Sequence, residues 1–375
     1  MKVLILSRGM PSEKYPMHGI FEFDQARALK KQGVDVAACC LDIRSVRRTR
    51  KFGIEVTELE GMPVFKYDIP IGRAPQSMSN FVRWCMFMHM YKKVLKAWDK
   101  PDIIHAHFGR ATGYVAMKAK EKYGIPYVLT EHDSTVHKGN FSKGKTEALK
   151  KIYKNANANI AVSAPFEKVL NNRYASNFEY IPNIVDTSAI QLSRQCSKNN
   201  FVSIGSLKKG KGFDVLIKAF VQLHDKNAML KIIGAGEEGN ALKTLTNSLG
   251  LSLQVEFCGF LPRSKFQNIF DNSLCFVLAS RSETFGLVFI EAMAAGLPVI
   301  GTRCGGPEGF VTDDVGILVD VDDVDALAVA MKKMIEDKDK YDSEKVRKYA
   351  IDNFSPTVVV QKLLALYERV LKIPI

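Results

Sequence analysis

The stretch CFVLASRSETFGLVFIEAMAAGLPVIGT, residues 275–302, holds two short apolar runs, CFVLAS and PVIGT, separated by a turn and a helix-like segment. CFVLAS predicts a strand, RSETFG the turn after its carboxyl end, and LVFIEAMAAG a helix closed by Gly296, with Pro298 just beyond. Apolar strands separated by such helices build parallel sheets covered on both faces. The alternation recurs along the chain. VLILS (3–7), VDVAACC (34–40), DIIHAH (102–107), YVLTEH (127–132) and ANIAVS (158–163) precede the opening stretch, as do FVSIGS (201–206), MLKIIG (229–234) and VEFCGF (255–260); GILV (316–319) follows it. Helical spacing fills the gaps, as in FEFDQARALKKQG ending at Gly33 and FDVLIKAFVQL starting at Phe213.

A chain of 375 residues exceeds one ordinary core and suits two domains, each with its own. The polar segment VDTSAIQLSRQCSKNN (185–200) has neither helical nor strand period and reads as the linker, giving domains over 1–188 and 189–355. PTVVVQKLLALYERVLKIP, from Pro356, predicts a long terminal helix (356–375) that packs back on the first domain. Ligands of such sheets bind outside the carboxyl ends of the strands.

Hydrophobic content of 46% and charged content of 25% are globular values. The seven cysteines are odd in number, lack C-x-x-C spacing and sit mostly in strand-like runs, which favours a reducing compartment. The short apolar start before Arg8 reads as a buried strand, and no window reaches the 18 or so apolar residues of a spanning helix. A cytoplasmic location is expected. The net charge of +13 is uneven: residues 1–188 carry 30 Lys and Arg against 18 Asp and Glu, and the remainder 23 against 22. Such a basic half suits nucleic acid, an anionic membrane or an anionic substrate, and no nucleic-acid recognition motif accompanies it. SMSNFVRWCMFMHMYKKVLKAW (77–98) reads either as a buried core helix or as an interfacial one, and Arg44, Arg47, Arg48, Arg50 and Lys51 form a basic cluster suited to anionic headgroups.

Glu283 and Glu291 are the two acids of the opening stretch. Gly286 lets backbone approach a ligand, and the N–H groups of Phe285, Gly286 and Leu287 form an anion site at the helix start, suited to a diphosphate. Glu291, a turn deeper, would repel phosphate but can accept hydrogen bonds from a vicinal diol such as ribose; Glu283 would face whatever lies beyond the diphosphate. The spacing suits a nucleotide sugar. A second loop, SIGSLKKGKGF, places Ser206, Lys208, Lys209 and Lys211 between a strand and a helix, where lysines can neutralise a leaving diphosphate; it fits neither G-x-G-x-x-G nor a Walker A pattern.

The stretch from Glu283 to Glu291, with GLPVIGTRCGGPEGFV behind it, resembles the E-x7-E region of retaining glycosyltransferase family 4, whose members have the GT-B fold. HGIFEFDQARALKKQG, PDIIHAHF, IPYVLTEH, AVSAPFEKVL, YIPNIVD, GSLKKGKGFDVLIKAF and VGILVDVDDVDALAVAM extend the resemblance over nearly the whole chain. It implies two Rossmann-like, doubly wound α/β domains facing a central cleft, the first binding the acceptor and the second the nucleotide sugar. It further implies that Glu291 holds the ribose, Glu283 contacts the transferred sugar, and Lys211 neutralises the diphosphate. Phe285, Gly286 and Leu287 would supply backbone donors, Gly19 the glycine loop facing the diphosphate, and His132 the histidine beside the sugar. Where the family usually has an arginine this chain has Ser206, so Lys208 or Lys209 would take that part. The expected reaction is hexosyl transfer with retention from a nucleoside-diphosphate sugar, UDP favoured and GDP possible, to a glycan or lipid-linked acceptor in bacterial cell-surface polysaccharide synthesis. No metal or other cofactor and no nucleic acid is expected as a partner, and the protein would sit peripherally on an anionic membrane.

Rival readings are weaker. His105 and His107, with His132, could suggest zinc but lack a ligand set of metal spacing, and Asp320-Val-Asp322 reads as surface acids. A nicotinamide-dependent oxidoreductase would share the sheets but lacks the glycine triplet, and a non-catalytic polyanion binder would explain only the charge.

Overall fold

The computed structural model describes all residues except 13, 14, 16, 44–50, 73, 188, 189, 194–198 and 373–375. The expected cluster Arg44, Arg47, Arg48 and Arg50 therefore lies outside the described residues, Lys51 excepted. The chain divides into two units, Met1–Ile184 with Pro356–Ile375, and Val185–Ser355. The division thus falls between residues 184 and 185 rather than 188 and 189, and the terminal helix belongs to the first unit.

The first unit contains strands β1 (Lys2–Ser7), β2 (Asp35–Ile43), β3 (Gly53–Leu59), β4 (Met62–Ile69), β5 (Ile103–His107), β6 (Tyr127–Glu131), β7 (Ala158–Ala161) and β8 (Phe178–Tyr180). Its helices are α1 (Ile20–Lys31), α2 (Gln76–Ala97), α3 (Tyr114–Tyr123), α4 (Ser134–Lys138), α5 (Lys143–Asn155) and α6 (Ala164–Tyr174). The strands form one sheet in the order β3-β4-β2-β1-β5-β6-β7-β8, parallel but for the β3–β4 pair. β1 lies between β2 and β5, so the winding reverses there and the loops after β1 and β5 flank the reversal. The β3–β4 hairpin was not expected: β3 is an edge strand with most residues exposed, so it shows no apolar run.

The second unit contains β9 (Asn200–Ile204), β10 (Met229–Ile233), β11 (Val255–Gly259), β12 (Cys275–Val277), β13 (Val299–Thr302) and β14 (Gly316–Val319). Its helices are α7 (Phe213–Val221), α8 (Gly239–Ser248), α9 (Phe266–Phe270), α10 (Leu287–Ala294), α11 (Val324–Glu336) and α12 (Ser343–Phe354). The all-parallel order β11-β10-β9-β12-β13-β14 is the Rossmann arrangement, with its reversal between β9 and β12. The two loops singled out by sequence follow these two adjacent strands.

The last helix, α13 (Pro356–Leu371), joins the first unit's core. Its Val359, Val360, Leu363 and Leu366 pack with Phe23, Ala26 and Leu29 of α1 over β1, β2 and β5. These apolar side chains stabilise the packing by about 1.5–3 kcal/mol each when fully buried. α2 is one-sided: Met86, Phe87, Met90, Tyr91 and Val94 are buried, whereas Met78 and Phe81 near its start are exposed.

Candidate active site

In the second unit, β12 ends at Val277 and the chain turns through Ser280–Gly286 into α10. Gly286 caps α10 at φ 108°, a left-handed conformation that a side chain would strain, and an added Cβ would lie 2.9 Å from Phe289 Cδ2. The first N–H groups of α10 have no partner within the helix and point outward from its start. The turn is strapped to the loop after β13, with Gly306 N–H donating to Glu283 O at 2.8 Å, and the buried Phe285 ring is wedged against Phe310 and Phe354.

Glu283 is held from two sides. Ser280 Oγ donates to its Oε1 at 2.8 Å, and Lys211 Nζ forms an ion pair with the same oxygen. Lys211 comes from the loop after β9, whose Lys209–Lys211 segment is a 3-10 turn before α7. Topology therefore brings together residues 72 positions apart, and each charged group holds the other in place. Ser206, Lys208 and Lys209 lie exposed on that loop. Glu291, one turn into α10, is buried and accepts Arg263 Nε at 2.8 Å.

Sequence reading missed Arg263, which sits in the loop after β11 with no motif to mark it. It also missed Arg281, whose guanidinium makes a two-pronged pair with Asp214 at 3.0 and 2.9 Å and reaches Asp322 Oδ1 at 2.6 Å. Arg281 thereby fixes the turn that carries Glu283, and Asp322 serves as its partner.

In the first unit, His132 follows β6 and is buried. Strand alternation puts His105, His107, Thr130 and His132 on one face and Glu131 on the other. Phe21 stacks on the His132 ring at 5.4 Å, and Phe108 lies 4.8 Å from it. Phe108 has φ 66°, unusual for a bulky residue, and the Arg8 guanidinium lies 3.7 Å over its ring. Gly19, at φ 76°, begins α1, and a Cβ there would lie 2.2 Å from Gly9 O. It therefore permits the close passage of two loops at the end of β1.

Glu131, passed over within T-E-H, joins three segments. One oxygen accepts the N–H groups of His132 and Asp133 at 3.0 Å each; the other accepts Gly109 N–H at 3.0 Å and Tyr153 Oη at 2.7 Å. Burial, and then the charge of Asp133, push its carboxyl up to about 7, against the pull of these donors. Burial also holds His132 and His107 well below the ordinary histidine range and His105 at about 3. Among the described residues, no group of three or more His, Cys, Asp or Glu side chains is placed to hold a metal ion.

Comparison with known proteins accords with this geometry. Residues 23–189 match the family model "Glycosyltransferase Family 4" and residues 187–353 the model "Glycosyl transferases group 1". A Bacillus subtilis protein described as a teichuronic acid biosynthesis glycosyltransferase, TuaC, is 28% identical, over 96% of this chain and 94% of that protein. Among solved structures, sucrose-phosphate synthase from Thermosynechococcus elongatus superposes with a TM-score of 0.83 at 19% identity over 100% of both chains. Anabaena HepE in complex with UDP superposes with a TM-score of 0.76 at 19% identity over 98% of this chain and 100% of the other. At such identities the structures show the fold alone, which is GT-B. The family matches set aside the oxidoreductase and polyanion-binder readings.

Proposed function

The chain belongs to the glycosyltransferases of GT-B fold, with a family 4 domain followed by a group 1 domain, and from that premise we propose that it transfers a hexose-type sugar, with retention, from a nucleoside-diphosphate sugar. One observation carries the reading. Lys211, Glu283, Glu291 and the start of α10 converge at the carboxyl ends of β9 and β12, where the winding of the second sheet reverses. That is where an open α/β sheet takes a nucleotide.

In this reading the diphosphate lies against the N–H groups of Gly286 and Leu287, with Lys211 and either Lys208 or Lys209 supplying positive charge in place of the arginine replaced by Ser206. Glu291 accepts the ribose hydroxyls and Glu283 orients the hexose. The family resemblance, not the geometry, supports the parts of Gly19 toward the diphosphate and of His132 toward the sugar. The course we favour is front-face displacement: the leaving diphosphate oxygen accepts the proton of the attacking hydroxyl while Lys211 and the helix-start amides stabilise the developing charge. No metal and no other cofactor enters this scheme.

UDP is the favoured donor nucleotide; HepE, of the same fold, is known in complex with it. Incubation with a panel of UDP-, GDP- and ADP-sugars tests the reading. Release of nucleotide from the UDP-sugars with the product anomer unchanged is expected. Release from none, or an inverted anomer, overturns it.

A glycan or lipid-linked acceptor in bacterial cell-surface polysaccharide synthesis fits the teichuronic acid assignment of TuaC. Peripheral attachment to an anionic membrane fits the basic first half of the chain and the exposed Ile54 and Val56 of the edge strand β3, with exposed Phe52 just before it. No helix among the described residues is long and apolar enough to cross a membrane. Vesicles rich in anionic lipid should pellet the protein at low salt and release it at high salt; no pelleting at low salt would favour a soluble acceptor.

A further inference from the structure

Beneath His132 lies a polar chain inside the apolar core of the first unit. His132 Nε2 is 3.0 Å from His107 Nδ1, and His107 Nε2 is 3.5 Å from Gln25 Nε2 on α1. Gln25 Nε2 is also 2.8 Å from His105 Nδ1, which in turn is 2.5 Å from Tyr367 Oη on α13. His105 Nε2 closes the chain on Thr130 Oγ1 at 2.7 Å. The chain links residues 25, 105, 107, 130, 132 and 367, all of them buried.

We propose that Gln25 is a positioning residue that fixes the proton of His132 on Nδ1, acting through His107. Counting donors and acceptors leaves two self-consistent proton arrangements, and the position of the Gln25 NH2, 2.8 Å from His105 Nδ1 and 3.5 Å from His107 Nε2, selects one of them. Facing that NH2, His105 Nδ1 carries no hydrogen, so Tyr367 donates its O–H there and His105 donates from Nε2 to Thr130. An amide oxygen 2.8 Å from the same bare nitrogen would set lone pair against lone pair. Gln25 thus presents its NH2 to both histidines. One of its hydrogens faces His105 and Tyr367, and the other faces His107 Nε2 over the longer distance, so that nitrogen too is bare. His107 then holds its proton on Nδ1 and donates it to His132 Nε2, leaving the His132 proton on Nδ1.

Burial keeps His105 and His107 uncharged throughout the ordinary working range, so the chain does not reverse with pH. Both ring nitrogens of His105 and of His107 have partners along the chain, so neither leaves a buried bond unmade. The consequence for catalysis rests on the proposed function: with its proton on Nδ1 and its Nε2 occupied by His107, His132 has no nitrogen with which to take the acceptor's proton. That agrees with a mechanism in which the leaving diphosphate is the base.

The test uses the full chain with 15N-labelled histidine and long-range 1H–15N spectra, which separate protonated from bare ring nitrogens. In the wild type, His132 is expected with Nδ1 protonated and Nε2 bare. Gln25→Met keeps the volume but removes the donor, and the His132 signals should become a mixture of both tautomers. With it, kcat should fall about tenfold while the donor KM stays within about twofold. A wild-type His132 protonated on Nε2, or a Gln25→Met spectrum unchanged from wild type, overturns the proposal. Should Gln25→Met not fold, the wild-type spectrum still decides. Because the spectrum needs no turnover, a protein that transfers no sugar would refute the proposed function and leave this result standing.

Discussion

Replacing Glu291 by glutamine removes the charge from a carboxylate whose side chain is only 6% exposed and which accepts Arg263 Nε at 2.8 Å. The shape of the corner stays, and one oxygen remains to accept. A hydrogen bond to a charged acceptor contributes about 1.5–3 kcal/mol and one between neutral groups about 0.5–1.5, so each ribose hydroxyl held by Glu291 should lose about 1 to 1.5 kcal/mol. One or two such bonds make about 1–3 kcal/mol, or roughly 5- to 150-fold in Kd for the nucleoside diphosphate. Arg263 is 34% exposed, so water takes up its lost pairing and folding stability should move by less than about 1 kcal/mol. The sharper assay is a cycle by titration calorimetry, in which wild type and Glu291→Gln each bind the diphosphate and its 2′-deoxy and 3′-deoxy forms. If Glu291 holds the diol, removing a hydroxyl weakens wild type more than the variant, with a coupling of about 1 kcal/mol or more. Equal losses in both proteins, with wild-type and variant affinities within twofold of one another, would refute the reasoning.

Glu283→Gln removes the charge that pairs with Lys211 and weakens the proposed sugar contact; kcat should drop by about 10²-fold or more while nucleoside diphosphate affinity changes little, as steady-state kinetics beside calorimetry would show. Gly19→Ala drives a Cβ toward Gly9 O, so it should lower unfolding free energy by about 2 kcal/mol or more and Tm by roughly 4–8 °C, whereas Gly210→Ala, with no atom within 4 Å of its added Cβ, should be neutral within about 0.5 kcal/mol. For Glu131 the folded carboxyl titrates at about 7 against a reference of 4.5, so the folded state binds more protons in between and this group's contribution to stability falls as pH rises through that window, by about 3 kcal/mol in all. The buried histidines act oppositely, costing stability as pH falls below about 6.5. The Glu131 effect is therefore read as the difference between wild type and Glu131→Gln in urea unfolding at pH 5 and pH 8, and a difference that does not change with pH would contradict it.

What could be read along the chain was whatever depends on neighbours in sequence. The apolar runs that became β1, β5, β9 and β12 are continuous because both faces of a parallel sheet are covered, and the acids at 283 and 291 stand out against LVFI. The β3–β4 hairpin escaped because β3 is exposed and its Glu55 pairs with Lys66 rather than with an apolar face. Its turn carries positive φ at both Glu60 and Gly61, and the Glu-Gly pair was the one local cue. The rest is set by topology. Arg263 meets Glu291, and Arg281 meets Asp214 67 residues away, only once β11, β10, β9 and β12 lie in that order in one sheet. Gln25, His105 and Tyr367 meet across three elements of the first unit, and no spacing rule connects them. The H-x-H spacing of His105 and His107 lacks the further ligands of a metal site, but nothing in it points to the hydrogen bonds that take their nitrogens within the core.

The most direct test of the central claim is a crystal structure of the full chain with an unreactive analogue of a UDP-sugar. The account predicts diphosphate oxygens about 2.7–3.2 Å from the N–H groups of Gly286 and Leu287 and ribose hydroxyls on Glu291, with Lys211 turned to the phosphates. A nucleotide bound elsewhere, with Glu283 and Glu291 untouched, would contradict it.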